Sequence, residues 1–271
     1  MSDTPEPAVD EVLLNVTQEG VAMITLNRPQ VHNAFNAELV QKLSAILDDL
    51  EDQDGVRVVI IDGAGKSFSA GGDLVAMRKA ADQSESEVRD ESSDFALMLM
   101  KLRALPFPTV ALVHGVAVAG GMGLVAACDI AVATADSIFG LSEVRLGLIP
   151  AVIGPYVVEA IGPRAARRYF LTGERFGAEE ALRLGLIQTI VPDIPALATE
   201  SERIAGMLLA GGPKALAAAK DLLDLITFMP IDEDLAEETV AMIAERRVSD
   251  EAKEGLTAFL EKRGPSWTTV E

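Results

Sequence analysis

The sequence is poor in the residues that carry redox and metal chemistry. Its one cysteine, Cys128, excludes an internal disulfide. Its two histidines, His32 and His114, have no acid or cysteine nearby at metal-ligand spacing, so no zinc motif exists and no metal site is expected. Basic residues are also scarce: 23 Lys and Arg stand against 42 Asp and Glu, a formal charge of −19. That balance argues against general nucleic-acid binding and against attraction to an anionic membrane surface, since both need basic patches. A local basic pocket remains compatible with it. No apolar run reaches the roughly 18 residues of a membrane span, and the longest, around Val116 to Ala127, is cut by glycines. The acidic start MSDTPEPAVDE has neither the basic nor the apolar region of a signal peptide, so a cytoplasmic protein is expected.

What is present suits a folded enzyme-sized chain. Hydrophobic residues at 49% supply a full core over 271 positions, enough for one large domain or one with a small appendage. Residues 1–8 read as a disordered lead-in. Val12–Val16 and Val21–Leu26 are β-rich runs around Gln18-Glu19-Gly20, which suits a hairpin. Asn36 is placed to cap a helix carrying Leu39, Val40, Leu43, Ile46, Leu47 and Leu50, with Asp54-Gly55 as its stop. Val56–Ile61, Thr109–Val113 and Ile130–Thr134 read as buried strands. Residues 79–94 are the least core-like internal stretch, either a mobile loop or an exposed helix, and Phe95–Leu105 reads as helical. Beyond Pro150 helices dominate, with Gly185, Pro213 and Ser249 at expected helix ends. The order implies an α/β layer followed by a helical extension.

Two phosphate-binding patterns fail on context. Gly63-Ala64-Gly65-Lys66-Ser67 follows a strand, but Ile60 stands where a P-loop needs its first glycine. Gly121-Met122-Gly123 through Ala126 fits a dinucleotide fingerprint, yet the strand at Ile130 leaves too short a helix. There is no G-x-S-x-G elbow, and each histidine is expected to be structural. Two glycine pairs remain, Gly71-Gly72 and Gly120-Gly121, each after a strand. They serve either close backbone packing or a pair of N–H donors for one oxyanion.

The ordered motifs resemble those of the crotonase superfamily, the enoyl-CoA hydratase/isomerase proteins. They are Asn27-Arg28-Pro29 with Asn33-Ala34-Phe35, Phe68-Ser69-Ala70-Gly71-Gly72-Asp73-Leu74, His114-Gly115 through Gly120-Gly121 to Ala127-Cys128-Asp129, Phe139 to Glu143, Gly147 to Pro150, and Glu254-Gly255 through Arg263. The likeness runs from about residue 12 to 263. It implies a ClpP/crotonase-like α/β spiral of ββα units over 9–195, and a helical C-terminal region, 196–271, used in trimerisation. It implies an acyl-CoA thioester substrate, no cofactor beyond the CoA of that substrate, and a homo-trimer or dimer of trimers without nucleic-acid or membrane partners. By position, Gly72 and Gly120 match the oxyanion-hole donors and Glu143 a catalytic acid–base. His32 and Ser67, Phe68, Ser69 and Ala70 match the CoA side, and Phe259 and Lys262 match C-terminal helix positions that touch CoA, often across a subunit boundary.

One position departs from the pattern. Hydratases of this kind hold a water between two glutamates, and the first of these falls at Gly123. The stretch Glu143 to Tyr156 resembles the methylglutaconyl-CoA or related branched-chain enoyl-CoA hydratases. The expectation is therefore a lyase adding water across an α,β double bond, with Glu143 as base and then acid and Ala151 N–H helping to place the water. A Δ3,Δ2-enoyl-CoA isomerase using the single glutamate is the alternative, and a non-catalytic acyl-CoA-binding protein the second.

Overall fold

The computed structural model describes residues 10–51, 53–80 and 82–268. The lead-in expected over residues 1–8 lies outside them. The chain opens with an antiparallel hairpin, β1 (Val12–Val16) and β2 (Val21–Leu26), which turns at Gly20. Helix α1 (Ala37–Glu51) follows, and Asn36 Oδ1 caps it by accepting the Leu39 N–H at 2.8 Å. Its leucines at 39, 43, 47 and 50 are fully buried, the face that the helical spacing predicts.

Four further strands extend the first sheet in parallel: β3 (Val58–Gly63), β4 (Thr109–Val113), β6 (Ile130–Thr134) and β9 (Thr189–Val191). Its order is β1-β2-β3-β4-β6-β9. The central strands are buried on both faces, which explains why β4 reads as an unbroken apolar run. A second sheet holds β5 (Val116–Val118), β7 (Ile138–Gly140) and β8 (Arg175–Gly177). Strands β4 and β6 each pass directly into a strand of the second sheet, then into a helix. Those helices are α4 (Gly120–Ala127) after β5 and α5 (Gly154–Thr172) after β7. This is the expected repeat of ββα units.

The polar segment 79–94 is largely helix. After α2 (Leu74–Lys79), α3 spans Glu85–Ala104 and is fixed at its start by a capping box between Ser84 and Glu87. Only its second half is buried, at Met98, Leu99 and Leu102. The helix α6 (Ala178–Leu184) ends on Gly185, and α7 (Ile194–Leu209), α8 (Pro213–Ile226), α9 (Glu233–Val248) and α10 (Asp250–Glu261) complete the fold. A boundary at 195/196 falls inside α7, whose Leu197 and Ile204 share a core cluster with strand residues Val58, Val110 and Val132. That helix belongs to the sheet layer, and the helical extension begins after it. Among the described residues no helix is long and apolar enough to cross a membrane.

Candidate active site

Strand register brings the glycine pairs and the glutamate to one edge. Ser69 pairs in parallel with Ala117, and Ala117 pairs in parallel with Phe139. Gly72 and Gly120 each lie three residues beyond their aligned position, and Glu143 lies four beyond Phe139. Three parallel segments thus run out in the same direction, and their ends carry the two donors and the carboxylate. The approach is close: a Cβ on Gly71 would stand 2.7 Å from Ala119 Cβ and 3.3 Å from Gly120 N.

The members of the glycine pairs differ in what their surroundings ask of them. Gly71 and Gly121 serve packing, because a Cβ on Gly121 would strike Ser69 O at 2.6 Å. Gly72 and Gly120 offer N–H groups that, among the described residues, donate to no protein acceptor. Gly120 is the first residue of α4, where an N–H has no intrahelical partner and the helix dipole favours negative charge. Ala119 aims it from a strained backbone, φ 48° and ψ −124°, a conformation costing about 1–3 kcal/mol. Gly72 is exposed and sits in a bridge to Phe35, where Phe35 N–H donates to Gly71 O at 2.7 Å and Asp73 N–H to Phe35 O at 2.9 Å.

Glu143 opens a 3-10 turn, Glu143–Leu146, that ends on Gly147 in the left-handed region. Its carboxylate is half-buried, and Oε2 is shielded from solvent without a hydrogen-bond partner. Burial pushes its pKa above the usual glutamate range. Among the described residues no ion pair holds the carboxylate.

The surroundings are apolar and were invisible as a set in the sequence. Phe95 Cζ and Phe35 Cδ2 lie 3.2 and 3.3 Å from where a Cβ of Gly120 would stand, and the two rings pack 5.1 Å apart. Met77 Sδ lies 3.3 Å from the equivalent point on Gly72. At Gly123 the side chain of Ile153 fills the volume a larger residue would need. The nearest atoms there are all from Ile153, none from an acid.

The other predicted residues divide. His32 is exposed, in the left-handed region at φ 54°, with Nδ1 3.0 Å from Ser67 Oγ. Its carbonyl accepts the Ala70 N–H at 2.9 Å, which ties the three residues together, but Ser67 is only 2% exposed and supports the His32 ring rather than opening onto the surface. Lys66, exposed beside Ser67, adds a cation that the motif reading had passed over. Phe68 and Ser69 are a correction: both are 0% exposed. Phe68 fills the core, while Ser69 Oγ donates to Asn33 O and accepts the Gly71 N–H, which shapes the donor loop without facing a ligand. Ala151 is a second correction, because its N–H already donates to Ile149 O at 2.9 Å. Phe259 and Lys262 stand exposed at the end of α10, which packs on α9, away from the residues gathered around Gly120.

Comparison with known proteins agrees with this geometry. Residues 16–270 match the family described as enoyl-CoA hydratase/isomerase. The short-chain-enoyl-CoA hydratase of Clostridium acetobutylicum is 32% identical over 90% of this chain and 92% of its own. An enoyl-CoA hydratase structure from Shewanella pealeana superposes with a TM-score of 0.91 at 39% identity, covering 95% of this chain and 96% of that one. Pseudomonas aeruginosa AtuE gives the same TM-score at 39% identity, over 96% of this chain and 100% of its own. The chain belongs to the enoyl-CoA hydratase/isomerase family and has the crotonase fold.

Proposed function

We propose that the protein hydrates a 2-enoyl-CoA thioester with Glu143 as its single acid–base group. The observation that carries this reading is the Glu143 carboxylate, its Oε2 without a partner, at the same sheet edge as two N–H groups that donate to no acceptor among the described residues. The thioester oxygen would accept from Gly72 N–H and Gly120 N–H. As water adds at Cβ, negative charge moves onto that oxygen, where each donor contributes about 3 kcal/mol to lowering the barrier. Glu143 takes a proton from the attacking water and returns it at Cα. Its raised pKa suits both halves of that cycle. CoA arrives as part of the substrate and no other cofactor is needed. His32 and Ala70 would meet its nucleotide side, with buried Ser67 holding the His32 ring and Lys66 supplying local positive charge on an acidic protein.

A second reading follows from Ile153. With an apolar side chain packed on Gly123, no second carboxylate holds the water, and one acid suffices to move a proton across an allylic system. Incubation with 2-enoyl- and 3-enoyl-CoA in labelled water separates the two. A 3-hydroxyacyl product from 2-enoyl-CoA, lost in Glu143→Gln, supports hydration. Double-bond migration without that product supports the isomerase, and a folded protein with neither activity is a binder.

Exposed apolar side chains of the C-terminal region, among them Ile231 between α8 and α9 and Phe259 and Leu260 on α10, support assembly as a trimer or dimer of trimers. Such an assembly would bring Phe259 and Lys262 to a neighbouring protomer's CoA. Sedimentation at three or six times 28.7 kDa is the expected result. The absence of a membrane-spanning helix among the described residues is compatible with a cytoplasmic setting.

A further inference from the structure

We infer that Arg28 is a positioning residue for the oxyanion site, holding the Gly72 N–H in line by gripping both backbone segments that bracket it. This rests on Gly72 acting as a donor, as proposed above.

Arg28 follows β2, and its side chain is only 12% exposed. Nη1 donates to Ala34 O at 2.6 Å and to Asp73 Oδ2 at 3.1 Å. Nε lies 2.9 Å from Glu11 Oε1, an ion pair whose angle is too poor for a hydrogen bond. Glu11 Oε1 is held in turn by Asn36 Nδ2 at 3.2 Å.

The two residues that Nη1 holds are not arbitrary. Ala34 immediately precedes Phe35, whose N–H and C=O form the bridge to Gly71 and Asp73. Asp73 immediately follows Gly72. Its other oxygen, Oδ1, accepts the Val75 and Ala76 N–H groups at 3.0 and 3.1 Å and so starts α2. The Ala76 N–H in the first turn of α2, and then the Arg28 guanidinium, hold the Asp73 carboxyl below its usual pKa range. One guanidinium therefore fixes the strand on which Gly72 is paired and the helix start into which Gly72 leads. A single rotated peptide between them would swing the N–H off the thioester oxygen.

Stability alone is a weak reason for burying such a triad, because apolar residues of similar volume are often as stable. Geometry is what a planar, multi-pronged donor supplies and a hydrophobe does not. Lysine is a point charge that can meet Asp73 without reaching Ala34 O and Glu11 together.

The test uses the full chain and an arylacryloyl-CoA whose absorption band moves to the red as its carbonyl is polarised. Wild type is compared with Arg28→Gln, Arg28→Lys and Asp73→Asn. Asparagine keeps an Oδ1 for the α2 cap and replaces the Oδ2 that accepts from Arg28 by an NH2 donor, so the contact with Arg28 is broken while the cap stays. In Arg28→Gln the red shift of the bound probe shrinks, and kcat for the enoyl-CoA falls by about 10- to 100-fold, part of what outright loss of an oxyanion donor costs. KM moves less than about threefold, because CoA contacts lie elsewhere. Arg28→Lys recovers part of both readouts, and Asp73→Asn reproduces the loss even if Arg28→Gln fails to fold. Variants that melt earlier yet keep the full shift and kcat overturn the inference and leave Arg28 a structural ion pair. No shift in wild type itself removes the oxyanion reading, and the role of Arg28 falls with it.

Discussion

A Cβ built on Gly123 would stand 2.1 Å from Ile153 Cγ2 and 2.5 Å from Ile153 Cβ. The obstruction is the branch point of a buried side chain, which cannot swing aside as a flexible tip would. Glycine at 123 and isoleucine at 153 are therefore one packing unit. Gly123→Glu alone is expected to destabilise the protein by about 3 kcal/mol or more, from overpacking plus a carboxylate in an apolar wall. Ile153→Gly in the same chain, which removes the Cβ as well as the branches, should recover part of that loss. Urea unfolding of the single and double variants measures the coupling, and additive effects would show that the two positions do not compete for space.

Glu143→Gln removes the proton carrier while keeping the shape. Enoyl-CoA turnover should fall by about 10²–10⁴-fold, the usual worth of a positioned acid–base group. Stability should move the other way at neutral pH. The folded-state pKa of Glu143 lies above its unfolded value, so the folded protein binds the extra proton. Stability from this group is present below the unfolded pKa and is lost as pH rises through the folded one. Glutamine has no such loss, so thermal melts should place the variant above wild type at pH 7 and level with it in acid. The acid limb of the wild-type pH–rate profile should lie above the ordinary glutamate value for the same reason.

Phe95 reaches Gly120 from the middle of α3 and packs on Phe35. Phe95→Ala opens that wall. The ratio of kcat/KM for a long-chain over a short-chain enoyl-CoA should rise by about tenfold, on the scale that one or two methylenes are worth in an apolar pocket. An unchanged ratio would place the acyl group elsewhere.

The Asp129 carboxylate is one of the anchors of the helical extension. Asp129 Oδ2 accepts from Thr109 N–H at 2.7 Å, Thr109 Oγ1 at 2.9 Å and Lys220 Nζ at 2.8 Å. Lys220 lies on α8 and also donates to Phe107 O at 2.9 Å. Asp129→Ala strands a cation whose side chain is 12% exposed, and chemical denaturation should read a loss of about 3 kcal/mol. Lys220→Met in the same chain should restore part of it.

The sequence by itself determined most of the secondary structure, and local rules explain why. Alternating and continuous apolar runs marked β1, β2, β4 and β6, while Asn36, Gly185, Pro213 and Ser249 marked helix ends, because capping and turn chemistry act within a few residues. The motif order also carried the family likeness and pointed to Gly72, Gly120 and Glu143. Tertiary structure decided what those residues face. Whether a glycine packs or donates depends on which strand crosses it, so Gly71 and Gly72 could not be told apart along the chain. Phe68 and Ser69 sit in a motif near the site and are buried all the same, since a residue's side follows from its sheet. Asn36 and Glu11, Arg28 and Asp73, and Gly123 and Ile153 meet across separations of 25, 45 and 30 positions, and no periodicity records such contacts. Only folding, which settles all the long-range packing at once, assigned them their partners.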